Sequence, residues 1–300
     1  MTAKRVIVLT GPTASGKSAV AMELAIRIGG EILCMDSMQV YKGLDIGTAK
    51  PTAAERRRVR HHLLDLCEPE ENFSVSDYTQ RCEPLLLSVD QPILAGGTGL
   101  YLDGLMYRRT FGGAGADESL RAEYHRFADE HGNAALFERL RMKDPKAAAK
   151  LHPNDVRRVI RALEVIETTG QSIAAAIDKQ RREDFDFRLY AISLPRETLY
   201  RRIDARVDAM MAAGLLEEVH ALFDRRVPRD AQAIQGLGYK ELYACFLGET
   251  TLAEAVNLIK LRTRHYAKRQ LTWFHRVEGL SWLPMDDPGA NAARILEEIQ

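Results

Sequence analysis

The octapeptide GPTASGKS at residues 11–18 follows the apolar run VIVLT at 6–10 and runs into SAVAMELAIRI at 18–28. A short β-rich run, a glycine loop and an amphipathic segment in that order predict strand, loop and helix, the context a phosphate loop requires. Gly11, Gly16, Lys17 and Ser18 satisfy G-x-x-x-x-G-K-[ST] in full, with Pro12, Thr13, Ala14 and Ser15 between them. Such glycines let successive backbone N–H groups converge on phosphate oxygens, and the helix amino terminus adds partial positive charge. Lys17 and a Mg²⁺ ion on the Ser18 hydroxyl would neutralise the rest, so the loop predicts a polyphosphorylated ligand with Mg²⁺ as cofactor.

The motif also fixes a fold class. EILCMDS (31–37) and QPILAGGTG (91–99) read as further strands ending in polar residues and glycines. Alternation with helices predicts an α/β protein with a P-loop parallel sheet core, its ligands gathered at the strands' carboxyl ends. The glycine-rich FGGAGA at 111–116 breaks the pattern, and from Asp117 to about Arg182 the chain is charged, helical in spacing and poor in strand formers. LYAISL (189–194) restores a strand. The expected organisation is a first core part at 1–115, a helical insertion at 116–187 and a second core part at 188–300 that ends in basic helices.

Lys plus Arg equals Asp plus Glu, 42 against 42, so bulk charge gives no argument for nucleic-acid binding. Local asymmetry does exist. Between Val256 and Arg276 stand Lys260, Arg262, Arg264, Lys268, Arg269 and Arg276 with no acidic residue, and RRRVRHH at 56–62 forms a second knot. A solvated helix face is the alternative for either stretch. Lys260, Arg264 and Lys268, spaced by four, predict one stripe, with Trp273 and Phe274 as packing or stacking groups. The four apolar residues VIVL are too few for a signal-peptide core or a membrane span, which predicts a cytoplasmic chain with no membrane partner. Cys34, Cys67, Cys82 and Cys245 are scattered without metal-ligand spacing.

A kinase or NTPase normally shows an apolar strand ending in a magnesium aspartate. Here PILA ends in GGTG, which reads as a second anion-binding turn donating from Thr98, or as a tight turn without a ligand. Asp36 at the end of the other strand is then either a metal ligand, a helix cap or a group of another chemistry.

The neighbouring motifs choose among these. MDSMQVYKGLDIGTAKP (35–51), HHLLDLCEP (61–69), FSVSDY (73–78), GGTGLY (96–101), HPNDVRRVIRALEV (152–165), GYKE (238–241) and TRHYAKRQLTWF (263–274) resemble, in this order, the tRNA dimethylallyltransferases. The resemblance spans nearly the whole chain. It implies that the loop holds the pyrophosphate of dimethylallyl diphosphate and that the allyl group passes to N6 of the adenine just 3′ of the anticodon, with the anticodon stem-loop as partner. By resemblance Asp36 is the general base, Thr98 and Arg206 act on the pyrophosphate, and Asp36, Ser37, Met38, Gln39 and Thr98 also meet the RNA. Gln39 is suited to bidentate pairing with an adenine edge, or else is polar surface. Without the family, Arg206 reads as an ion-pair residue of Asp204 or Asp208. The resemblance further implies tRNA contacts at Arg121, at Arg157, Arg158, Val159, Ile160 and Arg161, and at Gln235, Gly236, Leu237, Gly238, Tyr239 and Lys240. The plain reading of Arg161 is a pair with Glu164. Ser18 stands where many relatives carry threonine, and His275 precedes Arg276 where arginine often follows TWF directly, so neither of the latter is assigned a contact. A monomer is expected. The alternatives are an isopentenyltransferase of free adenine nucleotides and a P-loop small-molecule kinase.

Overall fold

A computed structural model describes residues 3–107, 117–174 and 181–299. The glycine-rich break at 111–116 lies outside the described residues. One parallel sheet carries β1 (Lys4–Thr10), β2 (Glu31–Cys34), β3 (His61–His62), β4 (Pro92–Ala95), β5 (Phe185–Ser193) and β6 (Leu280–Pro284), in the order β3-β2-β4-β1-β5-β6. Every described pairing in it is parallel, with Ile7 opposite Ile93 and Arg188 and Leu33 opposite Leu94. Val6, Val8 and Leu9 are fully buried, as expected of a strand covered on both faces.

Two strands escaped the sequence reading. β3 is a two-residue edge inside the basic knot, where His62 Nε2 lies 2.5 Å from Glu31 Oε2; RRRVRHH is thus a short helix, α2 (Ala53–Arg58), followed by a sheet edge. β6 pairs with β5, which begins at Phe185, four residues before LYAISL, and aligns Phe185 with Lys4.

The helices of the core pack on both faces. α1 (Lys17–Ile28) buries Val20, Ala21, Leu24 and Ala25 against the sheet and against α13 (Pro288–Ile299), which contributes Ala292 and Ile295. α3 (Val75–Ser88) starts with a capping box, Ser74 and Asp77 each satisfying the other's N–H. α4 (Gly99–Met106) follows β4. After β5 come α9 (Arg196–Ala212), α10 (Leu215–Asp224), α11 (Tyr239–Phe246) and α12 (Leu252–Phe274). Gly214 stands in the left-handed region (φ 101°) as the cap between α9 and α10.

The chain divides into two compact units, residues 1–105 with 183–300, and residues 106–182. The second is helical: α5 (Glu118–His131), α6 (Asn133–Lys143), α7 (Pro145–Ala148) and α8 (Val156–Thr169) enclose Tyr124, Leu136, Leu140, Val159, Ile160 and Leu163. No helix among the described residues is long and apolar enough to cross a membrane.

Candidate active site

β1, β4 and β2 are adjacent, and their carboxyl ends surround a cavity of about 370 Å³ that lies wholly in the sheet-bearing unit. Ligands of open parallel sheets collect at this end, where the strand order reverses about β1. The loop from β1 enters α1 with Gly11 at φ 133° and Gly16 at φ 94°, and Ala14 also takes a positive φ of 63°. A Cβ on Gly11 would stand 2.8 Å from Ile192 O, so only glycine fits beside β5. Ser15 Oγ is buried with no partner among the described residues. The first two N–H groups of α1, those of Lys17 and Ser18, have no acceptor among the described residues, and no side chain caps the helix. Lys17 Nζ reaches Pro12 O at 3.3 Å, and Lys17, Ser18 and Thr13 line the cavity.

The charges facing Lys17 define the site's electrostatics. Burial, and then the Arg206 guanidinium, push the Lys17 ammonium down to about 8, against the opposing pull of Asp36. Burial likewise lowers Arg206, and Asp36 again opposes it. Lys17 and Arg206 thus face Asp36 in a cavity whose lining also includes Lys240, Arg269 and Glu55. Sequence spacing alone paired Arg206 with Asp204 or Asp208. Both aspartates instead face α12: Lys260 Nζ lies 2.6 Å from Asp208 Oδ1, and Arg264 makes a two-pronged contact with Asp204. Arg206, on the adjoining face of α9, is left for the cavity.

Asp36 follows β2 and its Oδ1 accepts the Met38 N–H at 2.9 Å, leaving Oδ2. Ser37, Met38 and Gln39 line the same wall. Gln39 departs from expectation, because its Nε2 donates to Thr48 O (3.1 Å) and Ala49 O (3.2 Å). Both amide hydrogens are spent, which leaves Oε1 and no bidentate pairing with an adenine. Thr98 is fixed by its N–H, which donates to Met35 O, and by its Oγ1, which accepts the Ser37 N–H at 3.1 Å, and it keeps the hydroxyl hydrogen expected of it as a donor. The glycines around it are packing positions: a Cβ on Gly96 would meet Met35 O at 2.0 Å, on Gly97 the Gln270 amide at 2.2 Å, and on Gly99 the Trp273 indole at 2.2 Å.

Gln235, Gly236, Leu237, Gly238, Tyr239 and Lys240 complete the mouth of the cavity. Tyr239 is 1% exposed and its hydroxyl donates to Glu218 Oε1 at 2.6 Å, so it meets a ligand only through the ring edge in the cavity wall. The same carboxylate accepts the N–H groups of Asp45, Ile46 and Gly47, and thereby anchors the segment that holds Gln39. Cys34 also lines the cavity, but burial pushes its thiol up to about 12, so it is a neutral wall and not a nucleophile.

α12 supplies residues the sequence reading passed over. Thr263, Tyr266, Arg269 and Gln270 line the cavity. Gln270 is 6% exposed; its Oε1 accepts the Thr13 N–H at 2.8 Å and its Nε2 donates to Gly97 O at 2.9 Å. One amide thus ties the phosphate loop to the glycine turn. Spacing of three and four residues in YAKRQLTW was the available signal. The expected cationic stripe is broken, since Lys260, Arg264 and also Arg262, 2.7 Å from the buried Glu241 carboxylate, all have acidic partners. Phe274 is fully buried.

The helical unit treats its candidates differently. Val159 and Ile160 are buried in its core at 0% and 2% exposure, so their side chains support the helix from inside. Arg121 Nε and Arg161 Nη1 lie 2.9 and 2.6 Å from the fully buried Glu164 carboxylate, which also accepts the Asp117 N–H. Burial alone would raise this carboxyl, yet Arg161, the Asp117 N–H and Arg121 hold it below its ordinary value. The plain reading of Arg161 therefore holds, and Arg121 shares it. Arg158 pairs with Asp155 at 3.4 Å, whereas Arg157 is exposed with no ion pair among the described residues.

The described residues hold no cluster of His, Cys, Asp and Glu able to bind a metal by itself.

Comparison with known proteins agrees with this architecture. The family model described as IPP transferase matches residues 39–277. Curated relatives include a tRNA dimethylallyltransferase of Geobacillus kaustophilus, 46% identical over 99% of this chain and 95% of its own. Another, from Bacillus subtilis, is 44% identical over 96% and 93%. The crystal structure of the full-length tRNA isopentenylpyrophosphate transferase of Bacillus halodurans covers 99% of this chain and 95% of its own at 40% identity, TM-score 0.74. A eukaryotic dimethylallyltransferase acting on tRNA covers 95% of this chain and 75% of its own at 28% identity, TM-score 0.80. Matched by the family model over residues 39–277 and by relatives along nearly its full length, the chain belongs to the IPP transferase family.

Proposed function

We propose that this chain transfers the dimethylallyl group of dimethylallyl diphosphate to N6 of the adenine 3′-adjacent to the anticodon in tRNA, with release of pyrophosphate. The observation that carries the reading is the meeting of Lys17, Arg206 and Asp36 in one enclosed space at the carboxyl end of the sheet. An allylic C–O bond breaks readily when the departing oxygens are neutralised, so pre-set cations act where charge develops. The adenine N6 lone pair forms the new bond to C1 of the donor. The C–O bond electrons leave with pyrophosphate, and the proton lost from N6 passes to the carboxylate of Asp36. An exocyclic amine is a weak nucleophile, so a positioned base is worth about 10² to 10⁴ in rate.

The Ser18 hydroxyl, in the cavity with Asp36 and without a chelating acidic cluster, suits a Mg²⁺ ion held mainly by diphosphate oxygens and water. Bound there, the ion would add positive charge on the leaving group. The adenine must leave its stack to reach the cavity, so a loop of RNA, and not a duplex, is the fitting acceptor. Of the arginines the resemblance implicates in the helical unit, Arg157 is the one exposed without an ion pair among the described residues, and it is assigned to meet phosphate.

The test is mass analysis of an anticodon stem-loop RNA incubated with the protein, Mg²⁺ and dimethylallyl diphosphate. A gain of one dimethylallyl group on the target adenine supports the proposal. Transfer to free AMP with the RNA unchanged would assign the chain to nucleotide prenylation, and consumption of ATP with phosphorylation of a small molecule would make it a kinase.

A further inference from the structure

Glu218 stands in the first turn of α10 and does not line the cavity, yet four hydrogen bonds converge on its carboxylate. Oε2 accepts the N–H groups of Asp45 (2.8 Å) and Ile46 (2.7 Å), and Oε1 accepts the Gly47 N–H (3.0 Å) and the Tyr239 hydroxyl (2.6 Å). An ionised carboxylate accepts at both oxygens and donates nothing, which is the chemistry four converging donors require; an amide would turn its NH₂ group toward two of them. Gly47 makes the convergence possible. A Cβ there would stand 2.6 Å from Tyr239 Oη and 2.7 Å from its ring, so the backbone and the tyrosine meet the same carboxylate side by side.

From this joint the bonding runs inward to the base. Segment 45–50 is closed on itself by the Lys50 N–H on Asp45 O (2.9 Å) and by the buried Lys50 ammonium, which lies 2.6 Å from Asp45 Oδ1 and from Asp65 Oδ1. Its Thr48 O and Ala49 O take both hydrogens of the Gln39 amide, and Gln39 O accepts the Asp65 N–H at 3.2 Å. Gln39 in turn ends the short turn that starts at Asp36, whose Oδ1 holds the Met38 N–H. A displacement of segment 45–47 therefore reaches Asp36 through Gln39 alone. On its other side the same carboxylate holds Tyr239, and with it the mouth formed by residues 235–240. The phosphate side of the cavity is fixed separately, by Gln270 on Thr13 and Gly97.

We infer that Glu218 is a positioning residue for the transfer: it holds the Asp36–Gln39 wall and the mouth at residues 235–240 in register, so that an adenine entering between them meets the Asp36 carboxylate. It touches neither substrate. The inference rests on the transfer to an RNA adenine proposed above, and it divides the site into an acceptor side set from α10 and a diphosphate side set from α12 and the phosphate loop.

The test is the full-length Glu218→Gln variant, which keeps the shape of the side chain and spoils half of its acceptors. Single-turnover transfer to the anticodon stem-loop RNA, with RNA and dimethylallyl diphosphate both saturating, should fall by about 10²-fold, the cost of misplacing a reacting group by about 1 Å. Pyrophosphate affinity should be unchanged, because the phosphate loop and Gln270 are untouched. Tyr239→Phe removes one bond of the four, and should lose about tenfold in the same rate. A residue that served stability alone would lower the unfolding midpoint and leave the rate of the saturated, folded protein as it was. Parental transfer by folded Glu218→Gln would therefore overturn the inference, and so would an equal loss of pyrophosphate affinity, which would show both sides of the site displaced together. Should Glu218→Gln fail to fold, Tyr239→Phe decides by the same two measurements: a reduced rate with pyrophosphate affinity kept supports the inference, and a parental rate overturns it. A parent protein that does not modify the RNA would remove the proposed function itself.

Discussion

Replacing Lys17 by methionine should make the unliganded protein more stable while abolishing tight diphosphate binding. Lys17 is held in the cavity with its ammonium lowered from 10.5 to about 8, chiefly by burial and secondarily by Arg206. At pH 7 it is charged in both folded and unfolded chains, so the folded state carries the cost of the shift. At about 1.36 kcal/mol for each unit that cost has a ceiling of about 3 kcal/mol, and about half of that once the partial exposure of the side chain is allowed for. The sign with pH follows from proton counting. Between about 8 and 10.5 the unfolded lysine keeps a proton that the folded one has lost, so parental stability rises with pH across that window. Lys17→Met removes both the cost and its pH dependence. Denaturant unfolding without Mg²⁺ or diphosphate, followed by emission of Trp273 and Trp282, reads the sheet-bearing unit that contains Lys17. The variant should exceed the parent by about 1 to 3 kcal/mol at pH 7, and the gap should close as pH approaches 10.5. Saturating pyrophosphate should stabilise the parent and leave the variant where it was. A Lys17→Met variant no more stable than the parent at pH 7, or a gap constant with pH, would refute a strained, desolvated cation at this position.

Three further outcomes test other parts of the site. Asp36→Asn keeps an acceptor for the Met38 N–H but removes the base, so kcat should fall by about 10² to 10⁴ with RNA affinity retained; single-turnover transfer at normal rate would free Asp36 of that role. Arg157→Ala should weaken RNA binding and flatten its salt dependence at unchanged stability, whereas Arg161→Ala, which strips a partner from the buried Glu164 carboxylate, should cost about 1 to 3 kcal/mol in unfolding free energy. Glu164 lies below its ordinary value, so its stabilising contribution is complete above about 4.5 and is lost as pH falls through the lowered value; in Glu164→Gln, acid unfolding of the helical unit should lose this component.

What was legible in the sequence was whatever depends on residues close together along the chain. The phosphate loop is such a feature, because Gly11, Gly16, Lys17 and Ser18 form one turn whatever packs on it, and strand, loop and helix appear there as expected. Strands followed by polar ends gave β2 and β4. β3 was missed because two histidines behind four arginines carry no strand signal of their own, and only pairing to Ile32 and Leu33 makes them one. Charged side chains were the least legible, since helical spacing tells which of them share a face but not what that face meets. On α9, Asp204, Arg206 and Asp208 look like a self-contained ion-pair set, yet the aspartates turn to Arg264 and Lys260 and leave the arginine to the cavity. The same redistribution reads α12 in reverse. Cations that seemed one continuous stripe divide where the acidic partners run out, so Lys260 and Arg264 position α9, and through it Arg206, while Lys268, Arg269 and Arg276 have no ion pair among the described residues. The pairing of the first half of this basic run is what sets Arg206 of the cavity in place.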